Sequence, residues 1–185
     1  MRALIILGGV AAAGWWAYDA GYLDGVMPPA QAEPDPAPKA APAITEEEAL
    51  LQDNIDIVSP WARDNMQWTA AIMWAESRGN TSAVSPKGAL GLMQVMPATA
   101  QDIYRWGWDD FSATPATLLS ERGSIYFGTA YLEYLSRMKN DREWITRAYN
   151  AGPGGKTASG WPRETEDYLA AVKNRFSKIR QLWGA

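Results

Sequence analysis

The chain has 185 residues, enough for one ordinary domain with attached segments, and its 17 basic and 21 acidic side chains give a net charge of -4. This charge does not favour nucleic acid as a partner. The sequence contains no cysteine and no histidine, which excludes disulfides, thiolate nucleophiles, Cys-ligated metals and Ser-His-Asp arrangements. If the chain is an enzyme, carboxylates must act as its general acids and bases. We therefore expect glycosidic or phosphoryl chemistry without a metal or cofactor.

The N-terminal segment, residues 1–27, predicts a membrane anchor. Its apolar part, residues 3–23, is about as long as the roughly 20 residues that cross a bilayer. Arg2 is the only base before Lys39, so the positive-inside rule predicts a single pass through the inner (cytoplasmic) membrane with the rest of the chain in the periplasm. A cleaved signal peptide is the alternative, because Ala30-Gln31-Ala32 has the form of a cleavage site.

Residues 28–43 predict a tether that leads to a folded domain at 44–185. Twelve of these sixteen residues are proline or alanine, a composition that favours a semi-rigid polyproline II spacer, with a disordered linker as the alternative. Charge changes near the same place. Residues 33–56 carry seven acids and one base, whereas the residues from 57 onward carry 15 bases and 12 acids. The mildly cationic domain suits an anionic polymer, although a mixed solvated surface explains the excess equally well.

The sequence of the domain predicts an all-α, mostly helical fold. Capping residues and apolar side chains that recur about every 3.6 residues indicate six helices. In chain order, the signals are a Thr45–Glu48 capping box, an apolar face from Trp68 to Glu76 that stops at Gly79, Pro97 as a first helical residue, Ser120 and Asp141 as N-caps, and Thr165 before the last helix. The apolar positions place Ile55 and Val58 on the first helix, Met138 on the fourth and Trp183 on the last. No stretch has the period-2 alternation of a strand.

Glu76 is the first candidate for chemistry. Trp68, Ile72 and Glu76 are spaced four residues apart and share one helix face, on which Glu76 is the polar member. Desolvation and the negative end of the helix both disfavour a charged carboxyl and raise its pKa. A general acid for a glycosidic bond needs such a carboxyl. The alternative is a surface glutamate at a helix end, paired with Arg78.

Several short motifs accompany Glu76. They are Glu76–Asn80, Ser85–Ala89, Gly91–Ala100, Gly128–Leu132, Ala148–Gly154 and Pro162–Tyr168. In order and spacing they resemble the soluble lytic transglycosylase (SLT) family of lysozyme-like peptidoglycan enzymes, over roughly residues 53–176. The resemblance implies a lysozyme-like fold with a long groove for a glycan strand.

The resemblance also implies a reaction that one carboxyl performs. In such enzymes the glutamate matched by Glu76 protonates the glycosidic oxygen between N-acetylmuramic acid and N-acetylglucosamine. It then deprotonates the muramic 6-hydroxyl, which attacks the anomeric carbon and leaves a 1,6-anhydro end. No water enters, so one carboxylate suffices where ordinary glycosidases use two.

Substrate-binding residues follow from the same resemblance. Ser85 matches a serine whose hydroxyl holds the catalytic carboxyl, although a simple turn residue before Pro86 is the alternative. Gln94 and Met96 match groove residues that touch the sugar N-acetyl group and ring. These three positions predict one side of the groove.

The other side of the predicted groove comes from the last two motifs. Tyr149 and Asn150 match a Tyr-Asn pair beside the catalytic glutamate, where the phenol can hydrogen-bond the carboxyl or the sugar. Glu164 and Tyr168 match residues of the far wall, and Tyr168 could equally be a core residue of the last helix.

Two positions depart from the family pattern. The family usually has an aromatic residue three positions after the catalytic glutamate, and this chain has Gly79 there. The polar residue that opens the Gly128 motif is usually asparagine, and this chain has Ser124. The first departure changes the wall of one sugar subsite, and the second affects helix packing.

Two other functions stay open beside a lytic transglycosylase. A hydrolytic muramidase of the same fold would need a second acid near the groove, for which Asp102 and Asp109 are candidates without motif support. A non-catalytic wall-binding component of an envelope machine or virion would be expected to lack Glu76. The setting is equally open between a housekeeping enzyme, a secretion or conjugation apparatus, and a phage virion protein that acts during entry.

Overall fold

Eight helices make up the part of the chain that the computed structural model describes, residues 44–182. They are α1 Glu46–Asp53, α2 Pro60–Asp64, α3 Met66–Ser77, α4 Pro97–Arg105, α5 Pro115–Leu118, α6 Glu121–Met138, α7 Arg142–Ala151 and α8 Arg163–Leu182. Within 44–182, β structure is limited to isolated bridges that join Val84 to Leu90, Leu90 to Val95 and Thr157 to Gly160. The predicted all-α, mostly helical fold is confirmed for these residues.

The predicted anchor at 1–27 and tether at 28–43 lie outside the described residues, as does Trp183, and they stay predictions. Among the helices of 44–182, none combines the length and the apolar character needed to cross a bilayer.

Predicted helix starts agree with the structure where a side chain caps the helix. The Thr45 hydroxyl accepts a hydrogen bond from the Glu48 N–H while the Glu48 carboxylate accepts one from the Thr45 N–H, so the capping box is present. Ser120 and Asp141 cap α6 and α7, and Pro97 is the first residue of α4. A short polar side chain or a proline at these positions satisfies, or removes, an unpaired N–H of the first turn.

Two predictions about helix extent were wrong, and one apolar position is not buried. The first helix ends at Asp53, so Ile55 and Val58 lie beyond it. Met138 lies on α6 as predicted, but half of its surface is exposed, and the buried stripe stops at Leu135. The last helix begins at Arg163 and not after Thr165.

The short helices α2 and α5 were not predicted. Both begin with a proline that follows a capping side chain, Ser59 for α2 and Thr114 for α5. Helices of five and four residues are too short to show a hydrophobic period.

The core is built around α3 and α6. Residues 68–73 of α3 are buried, and α3 packs most extensively on α8. Gly128 on α6 lets the chain before α4 approach closely, because a Cβ at this glycine would lie 2.4 Å from Cβ of Met93. The buried Ser124 hydroxyl accepts a hydrogen bond from the Met93 N–H at 3.0 Å. This packing fixes the loop between α3 and α4 against α6.

Candidate active site

Glu76 occupies the last turn of α3, where the chain turns out of the helix. Arg78 has left-handed backbone angles (φ 54°) and Gly79 has φ 80°. Two successive residues with positive φ end the helix sharply. No atom of residues 44–182 outside the turn itself lies within 4 Å of a Cβ built on Gly79, so within these residues the position where the family usually has an aromatic ring is open and serves the turn.

Tyr168 on α8 holds the Glu76 carboxyl. Its hydroxyl donates a hydrogen bond of 2.5 Å to Oε1 of Glu76. The alternative of a surface glutamate paired with Arg78 does not describe this site, because the Arg78 guanidinium lies 5.5 Å over the ring of Trp74. The half-buried Tyr168 therefore contacts the carboxyl itself.

Burial raises the pKa of Glu76 from its usual 4.5 to about 7, while the hydrogen bond from Tyr168 acts in the opposite direction. Part of the residue remains accessible to solvent, yet protein atoms surround the carboxyl closely enough to disfavour its charge. Among residues 44–182, no second carboxyl contributes to the shift. The geometry thus provides one carboxyl that can both give and take a proton near neutral pH.

Tyr149 lies close to the same carboxyl without bonding to it. Burial, and then the charge of Glu76, raise the pKa of Tyr149 well above its ordinary value. Its hydroxyl donates a 2.8 Å hydrogen bond to the backbone carbonyl of Met93 in the α3–α4 loop. Of the two predicted partners of this phenol, the carboxyl is not bonded here, and the bond to a sugar stays a prediction. Its ring packs against Tyr131 of α6.

Asn150, next to Tyr149, is exposed, and its Oδ1 accepts a 3.0 Å hydrogen bond from the hydroxyl of Thr165. This bond ties α7 to the first turn of α8. It also explains why Thr165 lies inside α8, since its buried hydroxyl serves Asn150 and does not cap the helix.

Ser85 and Gln94 brace the loop between α3 and α4. The Ser85 hydroxyl accepts a 2.9 Å hydrogen bond from the Ala89 N–H, within its own turn and not at Glu76. Gln94 has positive φ (47°), which is uncommon for a residue other than glycine. Its side-chain amide donates to the carbonyls of Ala83 (3.0 Å) and Gly91 (2.9 Å). Both predicted contacts to carboxyl or sugar stay predictions.

Met96 and Glu164 lie at the surface around this loop. Met96 is 39% exposed just before α4. Glu164 is 3.4 Å from the ammonium of Lys87, and both side chains are largely solvated, so the pair contributes little to stability. No cluster of three or more metal-ligating side chains occurs among the described residues.

The part of the chain that contains the candidate site is similar to known proteins. Residues 62–168, which include Glu76 and end at Tyr168, match the model of the transglycosylase SLT domain. Soluble lytic murein transglycosylase of Escherichia coli K12 is 40% identical over 88 residues, which are 47% of this chain and 14% of that protein. Membrane-bound lytic murein transglycosylase F of Alteromonas mediterranea is 32% identical over 142 residues, 72% of this chain and 29% of that protein.

A solved structure is similar over most of the domain. It is an inactive mutant of the lytic transglycosylase Slt from Pseudomonas aeruginosa, with a TM-score of 0.60 and 28% identity over 74% of this chain and 24% of that one. This chain therefore spans less than a third of the length of each of these relatives.

Proposed function

The chain belongs to the transglycosylase SLT domain family, and from that premise we propose that it is a peptidoglycan lytic transglycosylase. It cleaves the β-1,4 bond between N-acetylmuramic acid and N-acetylglucosamine without water and leaves 1,6-anhydro-muramic ends. The observation that carries the proposal is the buried Glu76 carboxyl, whose pKa of about 7 leaves both protonation states populated near neutral pH.

The reaction proceeds in two steps at this one carboxyl. Protonated Glu76 first gives its proton to the glycosidic oxygen, and the bonding electron pair leaves with the N-acetylglucosamine that becomes the new end. The Glu76 carboxylate then removes the proton of the muramic 6-hydroxyl as that oxygen forms a bond with the anomeric carbon. Glu76 ends protonated, so the site is ready for another bond.

Tyr168 has a positioning role in both steps. Its hydroxyl fixes the Glu76 carboxyl by the 2.5 Å hydrogen bond and stabilises the carboxylate between the two proton transfers. A tyrosine with a raised pKa stays neutral and remains a donor throughout. The single-residue reaction needs no second carboxyl, whereas ordinary glycoside hydrolysis uses two.

Substrate contacts remain as the sequence predicts them. We assign the sugar N-acetyl group and ring to Gln94 and Met96, and the groove walls to Asn150 and Glu164. The Ser85 hydroxyl accepts one hydrogen bond in its turn and keeps its own proton to donate to the Glu76 carboxyl when substrate is bound.

We further propose that the enzyme works at the wall from the inner membrane, with residues 1–27 as anchor and 28–43 as tether. Membrane-bound relatives support a periplasmic place of action. Housekeeping remodelling, wall opening for a secretion apparatus, and phage entry with a virion membrane association are all consistent with this layout.

Product analysis tests the proposed reaction. Purified full-length protein is incubated with peptidoglycan sacculi. The masses of the released muropeptides are then measured by mass spectrometry before and after borohydride reduction. A transglycosylase gives ends that are one water lighter than hydrolysis products and that borohydride does not reduce. Reducible ends throughout would identify a hydrolytic muramidase, and binding without release would identify a non-catalytic wall component.

A further inference from the structure

Four aromatic rings form a continuous row from the surface to the candidate active site. The Trp106 ring stacks on Tyr134 with centroids 4.2 Å apart and planes 22° apart. Tyr134 is stacked in turn with Tyr131 at 6.2 Å and 13°, and Tyr131 packs on Tyr149 at 5.4 Å. Of these four residues, Tyr149 lies close enough to Glu76 for the charge of the carboxylate to raise the pKa of its phenol. The row therefore connects an outer ring with the carboxyl that performs the chemistry.

Trp106 ends this row as a fixed platform. It is the residue that follows α4, and its N–H still donates to the helix carbonyls of Asp102 and Ile103. The side chain is 48% exposed although one face of the ring is covered by Tyr134, so the other face points to solvent. Because the stack and the helix end hold the ring in place, the binding of a ligand there costs little side-chain conformational entropy.

The middle of the row offers hydroxyl groups beside the ring faces. Tyr131 and Tyr134 are half-buried, and their phenol oxygens have no hydrogen-bond partner among the described residues, yet neither oxygen is sealed from solvent. Burial raises the pKa of Tyr131 to about 12, so its hydroxyl stays a donor. The surface therefore combines the outer face of the Trp106 ring with the phenol hydroxyls of Tyr134 and Tyr131 further along the row.

We propose that Trp106, Tyr134 and Tyr131, which Tyr149 joins to the candidate active site, form a saccharide-binding surface that holds sugars of the glycan strand remote from the bond that Glu76 cleaves. A pyranose ring has an apolar C–H face and a hydroxyl edge, which match an aromatic face flanked by phenols. Trp106 is the outermost subsite and determines preference for longer strands. The inference rests on the proposed function and adds the residues that select strand length.

Steady-state kinetics of the full-length protein on strands of defined length test this surface. Trp106→Ala removes the platform, and Trp106→Phe keeps a ring. Tyr104→Ala is the matched control, because Tyr104 is 42% exposed on α4, two residues before Trp106, and has no ring partner in the described part of the chain. We expect Trp106→Ala to raise KM about three- to tenfold for long strands, the range of one aromatic contact. For these strands kcat stays unchanged, and the shortest cleavable strand keeps its KM.

Three results would overturn the inference: an unchanged KM for long strands, an equal rise in KM for the shortest strand, or the same rise for Tyr104→Ala. Near-normal KM in Trp106→Phe supports the stacking contact. If the wild-type protein cleaves no strand, the proposed function has failed, and sedimentation with insoluble peptidoglycan tests the surface separately. Weaker binding by Trp106→Ala than by Tyr104→Ala then supports it, and equal binding overturns it.

Discussion

Tyr168 and Glu76 are 92 positions apart in sequence, and the hydroxyl of the first donates a 2.5 Å hydrogen bond to the carboxyl of the second. The bond joins α8 to α3, the pair of helices with the largest shared contact in the described residues. The packing of these two helices thus sets both the position and the proton affinity of one carboxyl.

Replacing Tyr168 by Phe removes a donor that lowers the pKa of Glu76. We expect the basic limb of the pH–rate profile to move to higher pH, and kcat at the optimum to fall on the order of tenfold, since hydrogen bonds to charged groups are worth about 1.5–3 kcal/mol. Tyr126→Phe is the control, because its phenol accepts from the Asp110 N–H at another place. A loss of stability alone, with an unmoved pH profile, would show that Tyr168 is only structural.

The wild-type pH–rate profile should follow the ionisation of Glu76. Its acid form must donate the first proton, so kcat/KM stays level below about pH 7 and falls about tenfold per pH unit above it. Initial rates of muropeptide release between pH 5 and 9 measure this limb. A level rate up to pH 9 would mean that the group with the raised pKa is not the acid.

Glu76 should also make stability depend on pH. Its folded-state pKa of about 7 lies above the usual 4.5, so the folded protein binds this proton more tightly. The associated stability is fully present below about pH 4.5 and is lost as pH rises through 7, where ionised Glu76 costs up to about 3 kcal/mol. Glu76→Gln carries no charge and should raise Tm relative to wild type at pH 8, with little effect at pH 4.

The exposed, paired Asp102 provides the control for that measurement. Asp102→Asn should change Tm only slightly at both pH values. An equal Tm for Glu76→Gln and wild type at pH 8 would show that the Glu76 carboxyl is solvated.

Gly128 tests the packing that places the α3–α4 loop. A Cβ there would meet Met93 at 2.4 Å, so Gly128→Ala should lower the free energy of unfolding by about 1–3 kcal/mol. Activity should fall as well, because the Met93 carbonyl accepts the Tyr149 hydrogen bond. Gly154→Ala meets no atom within 4 Å and needs no left-handed φ, so urea unfolding should show little change for it. Equal stability of both variants would refute the close approach.

Local sequence signals predicted the helix starts because a cap is a contact within a few residues, as at Ser120 and Asp141. The motifs indicated that Glu76, Tyr149 and Tyr168 share one site. In the structure Tyr168 bonds to Glu76, and Tyr149 lies beside it. Which phenol bonds the carboxyl depends on how α8 packs on α3, and no local pattern encodes that packing.

Other features of the site could not be predicted from the sequence, for similar reasons. The bond of Tyr149 to the Met93 carbonyl involves a backbone atom, which has no sequence signature. The row of rings that ends at Trp106 joins two helices, α6 and α7, to the end of α4. Tyr131 and Tyr134 are three residues apart, and this spacing gives neighbouring rings on one helix face without showing that the face meets Tyr149.

The turnover of Glu76→Gln tests the central claim most directly. Glutamine keeps the shape of the side chain but can neither give nor take the proton. We expect release of muropeptides from sacculi to fall by at least about 10²–10⁴, the usual worth of acid–base assistance. Asp102→Asn and Asp109→Asn should keep near-normal rates, and Glu76→Gln should still sediment with peptidoglycan. Near-normal turnover of Glu76→Gln would contradict the assignment of Glu76 as the acid and base of this reaction.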